Sequence, residues 1–458
     1  MIIARKLSRS ESRARQYYDK YLEYTYHGNY KHAAHTLLIC DKLTGVLTEG
    51  NKRIMIFMPP RHSKSFTVTE SFPSYFLLKN PDKRVICAGY GDVLAKKFGR
   101  ENRKKISEFG VRLFGLELAP DQSAAGNWGI RGHSGGLIST TIMGGATGHG
   151  ADLLIIDDPI KNALEANSIA YKDRLFEEYN RTFRTRLHSG GSIILIQTRW
   201  TEDDLAGKLL NSNEENWDVI SLPAICEHEK DLLQRPIGAP LWPEHGYDAA
   251  WAESIKRNIG SYVWNAMYQQ RPSAIEGNLF KREWWKYYIA MPSSFDEIIM
   301  SADCAFKGND DSDYVVIQVW GRKGAMRYLI DQVRDKMTFS GTIVAMRNLS
   351  AKWPNAYCKL VEDKANGTAV IDTLKSEITG LIPVNPEGGK IVRAQAVSPA
   401  VEAGNIYIPA PAIAPWINDF IEEFASFPNG THDDQVDSMT QANIYFNKPN
   451  QNFVYDFI

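Results

Sequence analysis

Lys64 and Ser65 are the first residues in this sequence whose types and spacing suit nucleotide chemistry. They follow an apolar run at residues 54–58, which predicts a strand buried on both faces, and two prolines that end the strand. A strand, a tight loop and Lys-Ser at the start of a helix form the layout of a phosphate-binding loop. In such a loop, backbone N–H groups and the lysine contact phosphate oxygens, and the hydroxyl binds Mg²⁺. We expect the helix to run from Lys64 to about Lys79.

The predicted loop departs from the usual pattern. Met58 and Ser63 stand where two glycines are expected, and Arg61 adds a cation that would contact the γ-phosphate and act in catalysis. The residues predicted to bind ATP in this loop are Arg61, His62, Ser63, Lys64 and Ser65. An ordinary strand–turn–helix with a surface lysine would show the same short motif, so the prediction requires a carboxylate elsewhere in the chain.

A second motif supplies that carboxylate. Asp157 and Asp158 end an apolar strand in the run L-L-I-I-D-D-P at residues 153–159. A buried strand that delivers an acid beside a phosphate-binding loop holds Mg²⁺, so Asp157 is the predicted metal ligand and Asp158 the acid that polarises the attacking water. The polar end of another apolar strand, Gln197-Thr198-Arg199, is placed to sense the γ-phosphate or the water, and Thr198 is predicted to act in catalysis. The alternative interpretation of the motif at residues 153–159 is a strand that ends in a β-turn capped by the two aspartates.

The C-terminal part of the sequence contains a second set of acids. They end two predicted strands, at Asp303 and at Glu362-Asp363, and they recur in a late helix at Asp433, Asp434 and Asp437. Acids in this order, with the first strand beginning a three-strand meander, match the order in ribonuclease H-like nucleases. Converging carboxylates there hold two Mg²⁺ or Mn²⁺ ions about 4 Å apart. One such acid alone would more simply be a strand end or a helix cap, whereas three in the correct order favour a nuclease.

The predicted metal ligands of this second site are Asp303, Glu362, Asp363, Asp433 and Asp434, of which Asp303, Glu362 and Asp434 are predicted to be catalytic. Asp363 follows Glu362 directly, and successive side chains of a strand point to opposite faces, so Glu362 has the stronger claim. Asp434 is preferred to Asp433. Asp437 is expected to be a capping or outer acid, and Asp313 an outer ligand.

Composition bounds the class of protein. The chain has 458 residues, of which 43% are hydrophobic and 23% charged, and this predicts a globular protein of two domains. A formal net charge of −1 excludes general coating of nucleic acid, so any contact with DNA must use local basic patches. Five isolated cysteines indicate a reducing compartment. Without an apparent signal peptide or membrane span, we expect an intracellular protein that is not secreted and has no membrane partner.

The expected fold is α/β in two domains. Strands alternating with helices at 51–270 predict a P-loop ATPase domain whose doubly wound, mainly parallel sheet binds ligands at the carboxyl ends of its strands. A helical segment at 1–50 precedes this domain. A linker at 271–290 leads to a ribonuclease H-like nuclease domain at 291–447, and 448–458 form a tail.

Taken together, the motifs resemble those of the large terminase subunit of tailed bacteriophages. The motifs are R-H-S-K-S at 61–65, L-L-I-I-D-D-P at 153–159, Q-T-R-W at 197–200, V-E-D-K-A-N-G at 361–367 and H-D-D-Q-V-D at 432–437. The loop lacks both usual glycines, and Asp158 replaces the family's more usual glutamate beside the metal-binding aspartate.

The resemblance implies a motor that uses ATP and Mg²⁺ to move double-stranded DNA into a procapsid, and a nuclease that uses Mg²⁺ or Mn²⁺ to cut genome ends. It also implies a homo-oligomeric ring on the portal protein, a small terminase subunit that selects the DNA, and a location in the host cytoplasm, transiently at the portal.

A ring would also complete the ATPase site. One nucleotide-binding core without a second lobe needs an arginine finger from its neighbour. The candidates, which the sequence does not rank, are Arg100, Arg103 and Arg131.

Two other classes of protein compete with this interpretation. An ATP-dependent helicase–nuclease of DNA repair would require a second nucleotide-binding lobe, and a non-enzymatic assembly factor would not require both sets of acids.

Overall fold

The computed structural model describes residues 7–146, 148–212, 214–274, 279–304, 314–363 and 366–448. The chain forms two compact units, Met1–Ile255 with Val263–Pro272 and Lys256–Tyr262 with Ser273–Ile458. We call them the N-terminal unit and the C-terminal unit. Among the described residues, no helix combines the length and the apolar character needed to cross a membrane.

Eleven α-helices are described in the first 272 residues. They are α1 (Arg9–Gln16), α2 (Tyr18–Thr25), α3 (Ala34–Thr48), α4 (Lys64–Thr67), α5 (Phe72–Lys79), α6 (Asp92–Lys105), α7 (Val111–Phe114), α8 (Ala163–Ala166), α9 (Ile169–Glu178), α10 (Leu205–Ser212) and α11 (Ala249–Met267). Short π-helical turns at Ile106–Gly110 and Tyr179–Phe183 follow α6 and α9, and 3₁₀ turns lie at Arg184–Arg186 and Pro243–His245. Helix α11 is interrupted at Gly260, whose φ of 78° is non-helical.

The strands of the N-terminal unit form one sheet. They are β1 (Arg53–Phe57), β2 (Arg84–Gly89), β3 (Leu118–Ala124), β4 (Asn127–Ile130), β5 (Gly136–Thr141), β6 (Ala151–Asp157), β7 (Leu187–Gln197) and β8 (Asp218–Ser221). Their order is β3-β4-β5-β2-β6-β7-β1-β8. The six strands from β5 to β8 in this order pair in parallel, and the antiparallel pairs β3-β4 and β4-β5 lie at one edge.

Strand β1 is buried on both faces, as its continuous apolar pattern predicts. Ile54 and Ile56 pack into one hydrophobic cluster, whereas Met55 and Phe57 pack into a second cluster. Because parallel strands end at one edge of a sheet, β1, β6 and β7 deliver their last residues to the same place. The predicted α/β class with a mainly parallel sheet is confirmed.

The predicted continuous helix from Lys64 to Lys79 is wrong, because the chain forms α4 and α5 with an interruption between them. Pro73 lies in the first turn of α5. Proline has no N–H, and its ring clashes with the carbonyl four residues earlier, so a helix does not continue through Thr69 to Pro73. The interruption has a further consequence, since Thr69 is fully buried and its hydroxyl reaches the end of β6.

The C-terminal unit contains a second sheet. Its strands are β9 (Lys286–Tyr288), β10 (Glu297–Cys304), β11 (Val315–Lys323), β12 (Met326–Asp335), β13 (Ala356–Glu362), β14 (Leu381–Val384) and β15 (Ile406–Pro409). Its further helices are α12 (Phe339–Lys352), α13 (Asn366–Leu374), α14 (Lys390–Glu402), α15 (Ile417–Ser426) and α16 (Asp434–Asn447), with a 3₁₀ turn at Arg282–Trp284.

The order of this sheet is β14-β13-β10-β11-β12-β15-β9. Strands β10, β11 and β12 form the expected antiparallel meander, and β13 and β14 pair in parallel on the other side of β10. This arrangement confirms the predicted ribonuclease H-like architecture. The acids near the ends of β10 and β13 therefore lie at the same edge of the sheet.

Helix α16 is fastened to β10 by a reciprocal pair of hydrogen bonds. The Ser301 hydroxyl donates to the Ser438 carbonyl at 2.7 Å, and the Ser438 hydroxyl donates to the Ser301 carbonyl at 2.8 Å. Gln441 adds a bond from its amide nitrogen to the Ser301 hydroxyl oxygen at 3.0 Å. The late helix is thus held beside the strand that carries Asp303.

Gly367 permits the close approach of α13 to the end of β13. A Cβ atom at this position would lie 1.8 Å from the Glu362 carbonyl oxygen, so Gly367→Ala must displace backbone. We expect this change to lower the free energy of unfolding by about 1–3 kcal/mol in urea denaturation, because overpacking forces backbone shifts. Gly341→Ala in α12 is the matched control, since its Cβ would make only ordinary contacts. Equal stability of the two variants would contradict this explanation.

Candidate active sites

The loop between β1 and α4 has the backbone of a phosphate-binding loop without its glycines. Arg61 and Ser63 both adopt a left-handed φ of 65°. This conformation costs a residue other than glycine roughly 1–3 kcal/mol. Ser63 is one of the two positions where a glycine is expected, and its φ explains that expectation. The loop is therefore held in a strained conformation by its surroundings, with the Arg61 side chain exposed.

Lys64 lies at the centre of the first site. Its side chain is buried, and its ammonium group donates to the Thr198 hydroxyl and to the Met58 carbonyl, the latter at 3.4 Å. The ammonium also lies 3.5 Å from Asp158 Oδ1. The structure therefore brings together a loop lysine, an acid after β6 and a hydroxyl after β7, all of which the sequence predicts to act on ATP.

Asp157 is fully buried at the end of β6. Thr69 donates to its Oδ2 at 2.5 Å, while its Oδ1 has no hydrogen-bond partner. Burial, and next the neighbouring Asp158, raise the pKa of Asp157 to about 7, although the Thr69 hydrogen bond, the charge of Lys64 and the nearby Ser65 hydroxyl oppose this rise. A buried carboxylate oxygen without a partner beside a serine hydroxyl fits a Mg²⁺ ligand set.

Asp158 has a different environment. Its side chain is one-third exposed, with 32% of its surface accessible, and its backbone is left-handed at a φ of 43°. The backbone N–H of Thr198 donates to its Oδ1 at 2.8 Å. This bond links the end of β6 to the end of β7 and orients the Asp158 carboxylate.

One contributor to this site, Thr69, was missed by the sequence analysis. Thr69 bonds Asp157 only because the helix is interrupted, and no residue pattern marks that contact. Gln197, which belongs to the predicted polar strand end, is buried at the end of β7, and both polar atoms of its side chain lack partners. Arg199 is occupied elsewhere, since it pairs with Asp204 at 2.9 Å.

His62 packs away from the lysine into an aromatic cluster. Its ring stacks on Tyr247 with centroids 4.5 Å apart and lies 5.9 Å from the Trp251 ring. Burial lowers the pKa of His62 to about 4, so the ring is neutral near pH 7. Its Nδ1 contacts the Pro60 carbonyl at 2.9 Å. The structure thus places His62 where it supports the loop, while its predicted contact with ATP stays a prediction.

The three arginine candidates differ in their surroundings. Arg100 and Arg131 are exposed, and each contacts an acid: Glu101 at 3.7 Å for Arg100 and Glu117 at 2.6 Å for Arg131. Arg103 is partly buried, and its Nε has no hydrogen-bond partner. The structure of one chain leaves their order open.

In the C-terminal unit, four acids converge. Burial, and then the charges of Asp437, Glu362 and Asp434, raise the pKa of Asp303 far above its ordinary value, and Lys390 opposes this rise. The carboxyl end of β10, the end of β13 and the first turns of α16 therefore share one electrostatic site. A cavity of about 160 Å³ adjoins it and is lined in part by Glu362, Asp437 and Arg393.

Asp437 is closer to this site than the sequence analysis expected. Its carboxylate accepts from Arg393 at 2.5 Å and pairs with Lys390 at 2.9 Å. Lys390 also pairs with Asp433 at 2.6 Å. Burial disfavours the charge of Lys390, but the two aspartates hold its pKa above the ordinary value. Two cations of α14 thus neutralise part of the carboxylate cluster.

Asp363 has a separate role in the fold. Its carboxylate accepts from the Thr368 hydroxyl at 2.7 Å, and its N–H donates to the Val384 carbonyl at 2.8 Å. Glu362, rather than Asp363, is among the acids whose charges raise the pKa of Asp303. Asp313, the expected outer ligand, lies outside the described residues.

The fold and these two sites define a class of protein: an α/β nucleotide-binding unit followed by a ribonuclease H-like unit. Two family models match the chain. "Terminase large subunit, T4likevirus-type, N-terminal" matches residues 55–287, and "Terminase RNaseH-like domain" matches residues 300–446. The chain belongs to the terminase large-subunit family. No curated protein sequence matches it.

Solved structures of phage terminases are similar to this chain. A large terminase from a thermophilic bacteriophage, in complex with ATP-gamma-S, is 11% identical over 88% of this chain and 97% of that one, with a TM-score of 0.47. The HK97 bacteriophage large terminase is 11% identical over 83% and 86%, with a TM-score of 0.35. The large terminase nuclease of thermophilic phage G20c with bound zinc is 18% identical over 36% and 97%, with a TM-score of 0.29.

The raised pKa of Asp157 predicts a pH effect on stability without metal. An acid whose pKa is about 7 when folded and 3.8 when unfolded binds its proton more tightly in the folded state. Stability therefore falls as pH rises through this range. Asp157→Asn removes the titration, so we expect its melting temperature in EDTA to rise relative to the wild type between pH 5 and about pH 8. If the melting temperatures of the two proteins change in parallel between pH 5 and about pH 8, the pKa of Asp157 is not raised.

Proposed function

We propose that this chain is the motor subunit that couples ATP hydrolysis to movement of double-stranded DNA into a procapsid, and that it also cuts the DNA to produce genome ends. The observation that supports this most strongly is the presence, in one terminase chain, of two separate sites. One joins Lys64, Asp158 and Thr198, and the other joins four carboxylates, those of Asp303, Glu362, Asp434 and Asp437.

In the first site, ATP would lie against the loop of residues 61–65, with Lys64 binding the β- and γ-phosphates. Ser65 and Asp157 would hold Mg²⁺, which neutralises phosphate charge when bound. Asp158 accepts a hydrogen bond from the Thr198 backbone, so its second oxygen is available to orient the attacking water. Lys64 must exchange its contact with Thr198 for phosphate oxygens, which makes Thr198 responsive to the nucleotide.

In the second site, Asp303, Glu362 and Asp434 would hold two divalent cations, Mg²⁺ or Mn²⁺. Such a pair of ions activates the attacking water and stabilises the leaving oxygen of the phosphodiester. The donor set fits hard cations, because all its members are carboxylates that repel one another when the site has no metal. Lys390 and Arg393 hold Asp437 beside this set, and Lys390 holds Asp433.

Family membership supports the remaining parts of the proposal. The chain would assemble as a ring on the portal protein, receive DNA chosen by a small terminase subunit and work in the host cytoplasm. Arg100, Arg103 or Arg131 would serve as the arginine finger in a neighbouring subunit. We also propose the domain limits 51–270 for the ATPase and 291–447 for the nuclease.

A helicase–nuclease of DNA repair is the alternative enzyme. It requires a second nucleotide-binding lobe with its own parallel sheet. The described part of the C-terminal unit instead has a meander-based mixed sheet, and the terminase ribonuclease H-like family model matches it. These observations favour the packaging motor.

The two activities should separate by single substitutions. Lys64→Ala removes the phosphate-binding charge, and we expect it to abolish DNA-stimulated ATP hydrolysis while Mn²⁺-dependent plasmid cutting remains. Asp303→Ala should show the reverse pattern, because the two sites lie in different units. ATP hydrolysis is measured as phosphate release and cutting as loss of supercoiled plasmid. Wild-type hydrolysis by Lys64→Ala, or normal cutting by Asp303→Ala, would refute the corresponding assignment.

Asp158→Asn tests the acid that orients water. The amide oxygen can still accept from the Thr198 N–H, so the loop should keep its geometry. We expect kcat for ATP hydrolysis to fall about 100-fold with little change in nucleotide binding, because the negative charge acts in the transition state. Nucleotide affinity measured by fluorescence titration is the control. Losses of equal size in binding and turnover would assign Asp158 a structural role.

A further inference from the structure

Helix α16 carries two of the converging acids, Asp434 and Asp437, so its first turn must be held in place. The first N–H groups of a helix have no partner within the helix, and a side chain at the N-cap position normally accepts from them. Asp433 occupies the N-cap position of α16, but its side chain makes no capping hydrogen bond. Its carboxylate pairs with Lys390 instead. The usual local cap is therefore absent from this helix.

Glu423 of α15 supplies the missing hydrogen bonds. Its side chain is buried, and its Oε1 accepts from the backbone N–H groups of Gln435 at 2.7 Å and of Val436 at 3.4 Å. These are the second and third residues of α16, whose N–H groups an N-cap side chain normally binds. A carboxylate at this end also interacts favourably with the helix dipole. Glu423 thus caps α16 from a different helix.

The position of Glu423 is itself determined by its other oxygen. Oε2 accepts from the Gln435 side-chain amide at 2.6 Å and from Arg334 Nη2 at 3.2 Å. The Arg334 guanidinium lies over the Tyr314 ring, 3.9 Å from its centroid. Both oxygens of the buried carboxylate therefore have partners, and one partner is a cation.

A chain of amides, buried at Gln318 and Gln435 and half-buried at Gln332, connects this cap to the sheet. Gln332 donates to the Gln435 side-chain oxygen at 2.9 Å, and Gln318 donates to the Gln332 side-chain oxygen at 2.9 Å. Trp320 donates to the Gln318 side-chain oxygen at 2.9 Å. A fully satisfied polar network in a protein interior is rigid and specifies one arrangement. The position of the first turn of α16 relative to β11 and β12 is therefore fixed by these hydrogen bonds.

We propose that Glu423 is a positioning residue of the nuclease site, which caps α16 from α15 and so fixes Asp434 for metal binding and Asp437 beside it. Because Glu423 takes the capping role, Asp433 remains available to pair with Lys390. The inference rests on the proposed nuclease function. It adds a residue outside the proposed set of metal ligands, and this residue sets the geometry of two acids of α16.

The test compares Glu423→Gln with Glu422→Gln in the full-length chain. The two residues are neighbours on α15, and Glu422 is exposed and pairs only at the surface with Arg282 at 2.6 Å. In Glu423→Gln, we expect the Mn²⁺ concentration that gives half-maximal cutting to rise about tenfold or more, as residues that orient metal ligands do when changed. Glu422→Gln should match the wild type. ATP hydrolysis should be unchanged in both variants.

A readout without DNA separates this inference from the proposed function. Mn²⁺ should raise the melting temperature of the wild type by binding the folded state, and this rise should be smaller in Glu423→Gln at the same metal concentration. If the wild type shows the rise but does not cut DNA, the proposed function fails while the role of Glu423 is still tested. Hydrogen exchange should also be faster at the Gln435 and Val436 amides of Glu423→Gln than in the wild type.

An unchanged Mn²⁺ dependence in folded Glu423→Gln would overturn the positioning role. If the melting temperature of this variant also falls, Glu423 is merely structural. If Glu423→Gln does not fold, Glu423→Asp replaces it, since this variant keeps the charge but is one methylene too short to reach both amides. Glu423→Asp must then show a smaller rise in the required Mn²⁺ concentration, and an unchanged Mn²⁺ concentration in Glu423→Asp would also overturn the proposal.

Discussion

The burial of carboxyl groups next to other acids is the constraint on which both sites of this protein depend. An acid removed from water and placed beside another acid resists ionisation, as Asp157 does beside Asp158 and Asp303 does beside Asp437. In each unit, nearby cationic side chains offset part of this negative charge. Lys64 serves the first site, and two cations of α14 serve the second. The residual repulsion is what bound divalent metal would relieve.

Neither group of acids is held by its own segment alone. In the N-terminal unit, the Thr198 backbone fixes Asp158 and the Thr69 hydroxyl fixes Asp157, so β7 and the turn before α5 align the end of β6. In the C-terminal unit, Ser301 and Ser438 join β10 to α16. Neutral hydrogen bonds thus align the segments that carry the acids, while nearby cations offset part of the negative charge. This division keeps the carboxylates available for ligands.

Much of the fold followed from local patterns. Continuous apolar runs predicted β1 and β6, because strands covered on both faces by helices need no polar face. The alternation of side chains along a strand favoured Glu362 over Asp363, and the structure turns Asp363 toward Thr368. The helix after Lys64 was predicted without its break, although Pro73 in the sequence disfavours a helix that continues from the residues before it.

The sequence by itself determined which chemical groups stand at strand ends and in what order, and hence the class of both sites, because parallel strands bring their carboxyl ends to one edge. Only the tertiary structure decided which of several adjacent acids meet. Asp437 joins Asp303 through contacts of α16 with β10 and α14, and Glu423 caps α16 across 12 positions of sequence. Contacts of this kind depend on how elements far apart in the sequence pack, and this packing produces no periodic sequence pattern at the residues that it brings together.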